Sequence, residues 1–165
     1  MQKTHQNTVN KISKVKISVL APNLDLVDNI GGLFRICDAM GVDLIYFGNA
    51  IDINSRKLKK ASRSTQKYVS YQANINSEEI ILDYIKDNKV VIGLELTNTS
   101  RGLQTLNLEE NRDVLLVIGN EIEGISDLLL SKIPQCYHID MFGENSSMNV
   151  IQATSIALYS IQHTN

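Results

Sequence analysis

Three short segments of this chain hold polar and glycine residues that strand and helix formation leave unexplained. The first, DNIGGLFRICDAMG from Asp28 to Gly41, carries Asn29, Gly31, Gly32 and Arg35. Each glycine in a helix costs about 1 kcal/mol relative to alanine, so Gly31 and Gly32 call for close approach of a ligand or another backbone. Arg35 sits among Leu33, Phe34, Ile36 and Cys37, either snorkelling to solvent or presenting its permanent charge to a site. The second, IGNEIEGIS from Ile118 to Ser126, directly follows an apolar run. In a parallel sheet that is where ligands bind, beyond the strands' carboxyl ends. Gly119 and Gly124 permit tight turns there. Glu121 and Glu123 supply carboxylates, without the second paired-acid motif that glycoside hydrolysis would suggest. The third, IDMFGENSSMNV from Ile139 to Val150, places Ser146, Ser147 and Asn149 ahead of a long apolar helix. A helix start uses one such oxygen as its N-cap; three of them behind a glycine loop suggest further work.

The elements that must position these segments follow from periodicity and turn signals. Strands are expected at Lys16–Leu20, Leu44–Phe47, Tyr68–Tyr71, Val90–Leu96, Val114–Ile118 and Cys136–Met141. Helices are expected from a cap at Asp28 or Asn29 to Met40 with Gly41 as stop, over Ser55–Ala61, from a Ser77 cap to Lys86, over Ser126–Leu130 and over Met148–Ile161. VVIGLEL and VLLVI are apolar without alternation, as strands covered on both faces are. Strand and helix alternate, so the class is α/β: a mostly parallel sheet with helices on both faces. The last helix carries two apolar stripes: Val150, Ala153, Ala157 and Ile161, then Ile151 and Leu158. That is more than one core contact needs, and it implies deep burial or a subunit interface.

Composition excludes several classes. With 165 residues, 43% hydrophobic and 21% charged, the chain suits one soluble domain over 1–165, with a polar basic tail over 1–15. No apolar run reaches membrane-spanning length and no leader is visible, so a cytoplasmic location is expected. Cys37 and Cys136 lack metal-ligand spacing, and neither a zinc site nor a disulfide is expected. No dinucleotide fingerprint, P-loop, HExxH or Ser/His/Asp arrangement is present, and His5, His138 and His163 belong to no motif. The net charge is −2, but its distribution is uneven. From Ile53 to Ser77 there is no acid, against Arg56, Lys57, Lys59, Lys60, Arg63 and Lys67; Lys3, Lys11, Lys14 and Lys16 precede the first acid. A locally positive field is what a phosphate backbone responds to, although a solvated helix face would look the same.

Taken in series, the three segments resemble the three signature motifs of the SpoU (TrmH-like) family of RNA 2′-O-ribose methyltransferases, in the SPOUT superfamily. The resemblance covers Asn29 to Arg35 with Asp38–Gly41, then Leu116–Ile125, then Ile139–Gly143 with Ser147–Val150 and the helix through Tyr159. It implies a trefoil-knotted α/β fold, a homodimer, and S-adenosyl-L-methionine as methyl donor without metal. By position, Leu96, Gly119, Ile139, Ser147 and Met148 would hold the donor. Asn29, Arg35, Glu121, Ser147 and Asn149 match the catalytic set, with Arg35 and the basic run Arg56, Lys57, Lys59, Lys60 and Arg63 on the RNA. The implied reaction is methylation of a ribose 2′-hydroxyl of tRNA or rRNA. The absence of an appended RNA-binding domain favours tRNA. The alternative is a non-catalytic RNA-binding homologue of the same fold. Two departures stand out: Asp140 where the family usually has proline, and Ile151 where it usually has serine.

Overall fold

The computed structural model describes residues 13, 15–108, 112–144 and 147–164. Lys3, Lys11 and Lys14 of the basic tail and Ser146 of the third segment lie outside the described residues. The strands are β1 (Lys16–Ala21), β2 (Leu44–Phe47), β3 (Ser70–Ala73), β4 (Val90–Leu94), β5 (Arg101–Gly102), β6 (Asp113–Ile118) and β7 (Gln135–His138). They form one seven-stranded sheet in the order β3-β2-β1-β6-β4-β7-β5, and every pairing in it is parallel.

The unalternating apolar runs have the physical cause expected of them. In β6, Val114, Leu116 and Ile118 join one core, packed under the helices α1 (Val27–Ala39), α2 (Arg56–Ala61) and α5 (Val150–His163). Leu115 and Val117 join a second core with Ile81 of α3 (Ser77–Lys86) and Leu129 of α4 (Asp127–Leu130). A strand buried on both faces has no solvent side to mark with polar residues. Burying each Leu or Ile so fully contributes roughly 1.5–3 kcal/mol.

Local capping differs from the sequence reading at two helices. α1 begins one residue before Asp28, with Leu26 at the N-cap and no side-chain cap bond, so Asp28 and Asn29 stand inside its first turn. Asp28 there favours the positive end of the helix dipole. α3 is capped by Asn76, which accepts from the amides of Glu78 and Glu79, rather than by Ser77. Asn and Ser compete equally for this position, and the register of the turn decides. Elsewhere Ser55 caps α2 and Ser126 caps α4, and Gly41 closes α1 at φ +65°. β4 and β7 stop at Leu94 and His138, short of the expected Leu96 and Met141, because the chain turns out of the sheet to build loops. β5 has two residues, too few for a period to show.

The glycines of the first segment serve helix packing. A Cβ on Gly31 would lie 2.4 Å from Ala61 Cβ and 2.8 Å from the Ser62 amide nitrogen, so α2 rests directly on the α1 backbone. A Cβ on Gly32 would lie 3.2 Å from the nearest side-chain atom of Ile151 in α5. The approach that these residues called for comes from two other helices.

Candidate active site

Three loops leave the carboxyl ends of β4, β6 and β7 and enclose a cleft of about 680 Å³. Leu96, Gly119, Ile139, Ser147 and Met148, the five residues expected to hold a methyl donor, all line it. That volume lies in the range of small-molecule and cofactor sites.

The loop after β6 is built by its own side chains. Asn120 Oδ1 accepts from the amides of Ile122 at 2.9 Å and Glu123 at 2.6 Å. The Asn120 amide donates to the Gly124 carbonyl at 3.2 Å. Gly124 has φ +66°, a conformation that side chains resist. A Cβ on Gly119 would sit 2.5 Å from the Gly124 carbonyl carbon, so the two glycines let the loop fold backbone on backbone. Glu95, just past β4, accepts from the Ile125 amide at 3.0 Å and from the Leu96 amide at 3.0 Å. Both its oxygens therefore fasten cleft loops. Sequence reasoning missed Glu95 by placing it inside the strand VVIGLEL, where only its acidity in an apolar run signalled otherwise.

The three sequence segments meet at one point. Asn29, buried in the first turn of α1, donates from Nδ2 to Glu121 Oε1. Its Oδ1 accepts from Asn149 Nδ2 at 3.1 Å. Asn149 Oδ1 also caps α5 by accepting from the Ile151 amide at 2.9 Å. Residues separated by 92 and 120 positions thus form one continuous network beside the cleft. Its members can orient groups and accept hydrogen bonds, and Glu121 and Asn149 also line the cleft wall.

Arg35 stands apart. It is exposed on α1 and absent from the cleft lining. Six residues after Asn29, it lies roughly 9 Å further along the helix and on another side of it. Four residues after Gly31, it shares the face on which α2 packs. The basic run lies on that neighbouring helix and the turn beyond, and Arg56, Lys57, Lys59, Lys60, Arg63 and Lys67 are all exposed. Among the described residues none of the six forms an ion pair.

Both thiols are free and buried. Burial pushes the Cys37 thiol far above its ordinary range, so it stays neutral. Cys136 is also raised, first by burial and then by the nearby Glu95 charge. Among the described residues no group of three His, Cys, Asp or Glu gathers at metal-binding spacing.

Residues 16–159 match the model of the SpoU rRNA methylase family. The chain belongs to that family. Among its relatives, the tRNA (guanosine(18)-2′-O)-methyltransferase of Saccharomyces cerevisiae is 29% identical over 162 residues, covering 92% of this chain and 11% of that protein. The Aquifex aeolicus protein of the same name is 27% identical over 147 residues, covering 87% of this chain and 67% of that one. The chain thus spans a small part of the yeast relative and about two thirds of the bacterial one. The fold is shared with the A. aeolicus TrmH/SpoU tRNA modifying enzyme, at TM-score 0.77 and 24% identity, over 92% of this chain and 75% of that one. It is also shared with a structure described as giving insights into the 2-OH methylation of C/U34 on tRNA, at TM-score 0.73 and 22% identity, over 88% and 93% respectively. A mostly parallel α/β sheet is therefore the family's architecture as well as this chain's.

Proposed function

We propose that this chain is one methyltransferase domain that transfers a methyl group from S-adenosyl-L-methionine to a ribose 2′-hydroxyl of RNA, tRNA before rRNA. The observation that carries this is the Asn29–Glu121–Asn149 network beside a glycine-loop cleft, with an exposed basic surface on the adjoining helix. The relatives named for 2′-O-methylation of tRNA support the same reading, as does a related SpoU-type structure described with bound AdoMet.

The donor set fits the group. The cleft combines the apolar Leu96, Ile139 and Met148 with the Gly119–Gly124 loop and Ser147. When bound, the donor supplies an electrophilic methyl on a sulfonium. The chain's task is alignment, and holding a hydroxyl in line with such a centre can account for much of the rate. In this reading Arg35, which stands outside the cleft lining, meets the bound RNA at its phosphate and stabilises negative charge developing on the ribose oxygen. Asn29, Glu121 and Asn149 hold the loops and α5 in register with α1. Arg56, Lys57, Lys59, Lys60 and Arg63 hold the RNA backbone.

The active form in this reading is a cytoplasmic homodimer with a trefoil-knotted backbone. The two apolar stripes of α5 do not support the dimer, because both serve the chain's own core: Leu158 and Ile161 are fully buried and Ile151 packs on α1. The large apolar side chains open to solvent include Phe142, 98% exposed, with Met141, Ile156 and Tyr159. Sedimentation showing a monomer at micromolar concentration would count against the dimer.

One observation favours the second reading, an RNA-binding homologue without chemistry: Arg35 does not line the cleft. The two separate cleanly. Purified protein is incubated with labelled donor and tRNA, and the nucleosides are analysed by mass spectrometry, alongside RNA from cells lacking the chain. A 2′-O-methylated nucleoside formed in vitro and missing in those cells is the expected result. RNA binding without any methyl transfer would establish the second reading.

A further inference from the structure

The outer wall of the cleft is tied together by four side chains from three loops. His138 ends β7 and lines the cleft. Its Nδ1 lies 2.9 Å from Ser100 Oγ, and its Nε2 lies 3.3 Å from Asp140 Oδ1. Ser100 Oγ in turn closes the turn that follows Leu96, with the Thr97 amide and the Thr97 carbonyl each at 2.9 Å. Asp140 Oδ2 accepts from Gln104 Nε2 at 2.8 Å. Gln104 belongs to the 3-10 turn Leu103–Thr105 that follows β5. The path Ser100–His138–Asp140–Gln104 therefore joins the loops after β4, β5 and β7. Its bonds reach Thr97, next to Leu96, and flank Ile139 on both sides in the chain.

We infer that His138 and Asp140 are positioning residues for the methyl donor, holding the Leu96 and Ile139 walls of the cleft at a fixed separation. This rests on the reading of the cleft as the donor site. Neither residue is required by the core: the His138 side chain is 23% exposed and that of Asp140 is 45% exposed. The Ser100 hydroxyl, whose one proton goes to the Thr97 carbonyl, has lone pairs left to accept from the Thr97 amide and from a His138 Nδ1–H. Asp140 is flanked by a loop whose backbone has no sheet partner, and among the described residues its amide donates no hydrogen bond. The loop's rigidity is thus supplied by side chains. A proline at 140 would supply it through a fixed φ and would break no amide bond.

The test is donor affinity by calorimetry, with thermal melting beside it. Partly exposed contacts of this kind are individually weak, so Asp140→Ala should loosen the donor by roughly three- to tenfold. Its melting should be unchanged, and its KM for the donor should rise at constant kcat. Asp140→Pro should return affinity to within about twofold of wild type, a rescue that simple loss of packing would not show. If Asp140→Pro fails to fold, the pair His138→Ala and Asp140→Ala decides. A double variant no weaker than the worse single one supports a shared brace, and additive losses overturn it. Ser147→Trp, which fills the cleft, tests the underlying reading separately. Abolished binding there with a wild-type Asp140→Ala defeats the brace alone, whereas wild-type binding by Ser147→Trp defeats the donor cleft itself.

Discussion

Arg35→Ala separates structure from chemistry, because Arg35 is exposed and makes no hydrogen bond or ion pair with any described residue. Its stability effect is correspondingly bounded. The residue lies inside α1, where alanine is the better helix former by a few tenths of a kcal/mol, and surface changes of this kind stay within about 0.5 kcal/mol. Nor does it line the cleft, so donor affinity should be nearly that of wild type. Loss of a charged group that stabilises the transition state costs about 3–4 kcal/mol, roughly a hundredfold to a thousandfold in rate. The measurement is single-turnover methyl transfer to the RNA substrate at saturating enzyme, with calorimetry of the donor and thermal melting as controls. Arg35→Lys should rescue poorly, since a point ammonium lacks the planar fork that meets phosphate in two bonds. Methyl transfer within about threefold of wild type, with melting unchanged, would return Arg35 to a snorkelling surface residue and refute its assignment to chemistry.

Asn29→Ala should behave differently, lowering stability by about 0.5–1.5 kcal/mol as well as activity, because it removes the buried amide to which the solvent-exposed Glu121 and Asn149 both bond; wild-type stability in denaturant titration would contradict the network. Changing Lys57, Lys59 and Lys60 to alanine should weaken RNA binding and leave donor binding intact. The slope of log affinity against log salt should flatten by up to roughly one for each phosphate no longer neutralised. An unchanged salt slope would mark α2 as a solvated face. Donor affinity measured by calorimetry with a chelator present should equal that without it, and loss of binding would show a metal requirement. The Cys37 thiol, raised by burial from an ordinary 9.0, stays protonated in the folded state while the unfolded state ionises. Its contribution is therefore present below about pH 9 and lost as pH rises above it, at up to about 1.4 kcal/mol per pH unit. Cys37→Ala should flatten the alkaline limb of stability, and an identical slope would show that the thiol ionises in the fold.

The sheet was legible where one physical cause dominates. VLLVI and VVIGLEL read as strands covered on both faces because neither face meets water; the two cores on either side of β6 bear this out, and in the second run as far as Leu94, where β4 stops. The cleft was legible for a related reason: glycines and short polar residues directly after such strands must lie at the carboxyl ends of a parallel sheet. What stayed hidden involves residue types with two uses. Asn29 looks like a helix cap, since an amide that can accept from a backbone N–H can equally bind a distant carboxylate, and only the placement of Leu26 at the cap reveals which applies. His138 belongs to no sequence motif because its partners Ser100 and Asp140 come from two loops, and Gln104, which holds Asp140, comes from a third. The position of Arg35 off the cleft follows from helical geometry, which turns it away from Asn29 within one segment that reads as continuous. Asn149 joins both kinds of use in a single side chain: its oxygen caps α5 while its nitrogen reaches Asn29. The start of α5 is thereby fastened to the first turn of α1 and to the loop after β6. A displacement of that loop would have to break the Asn29–Glu121 bond or carry the helix start with it, which is why the three segments behave as one site although they are distant in the chain.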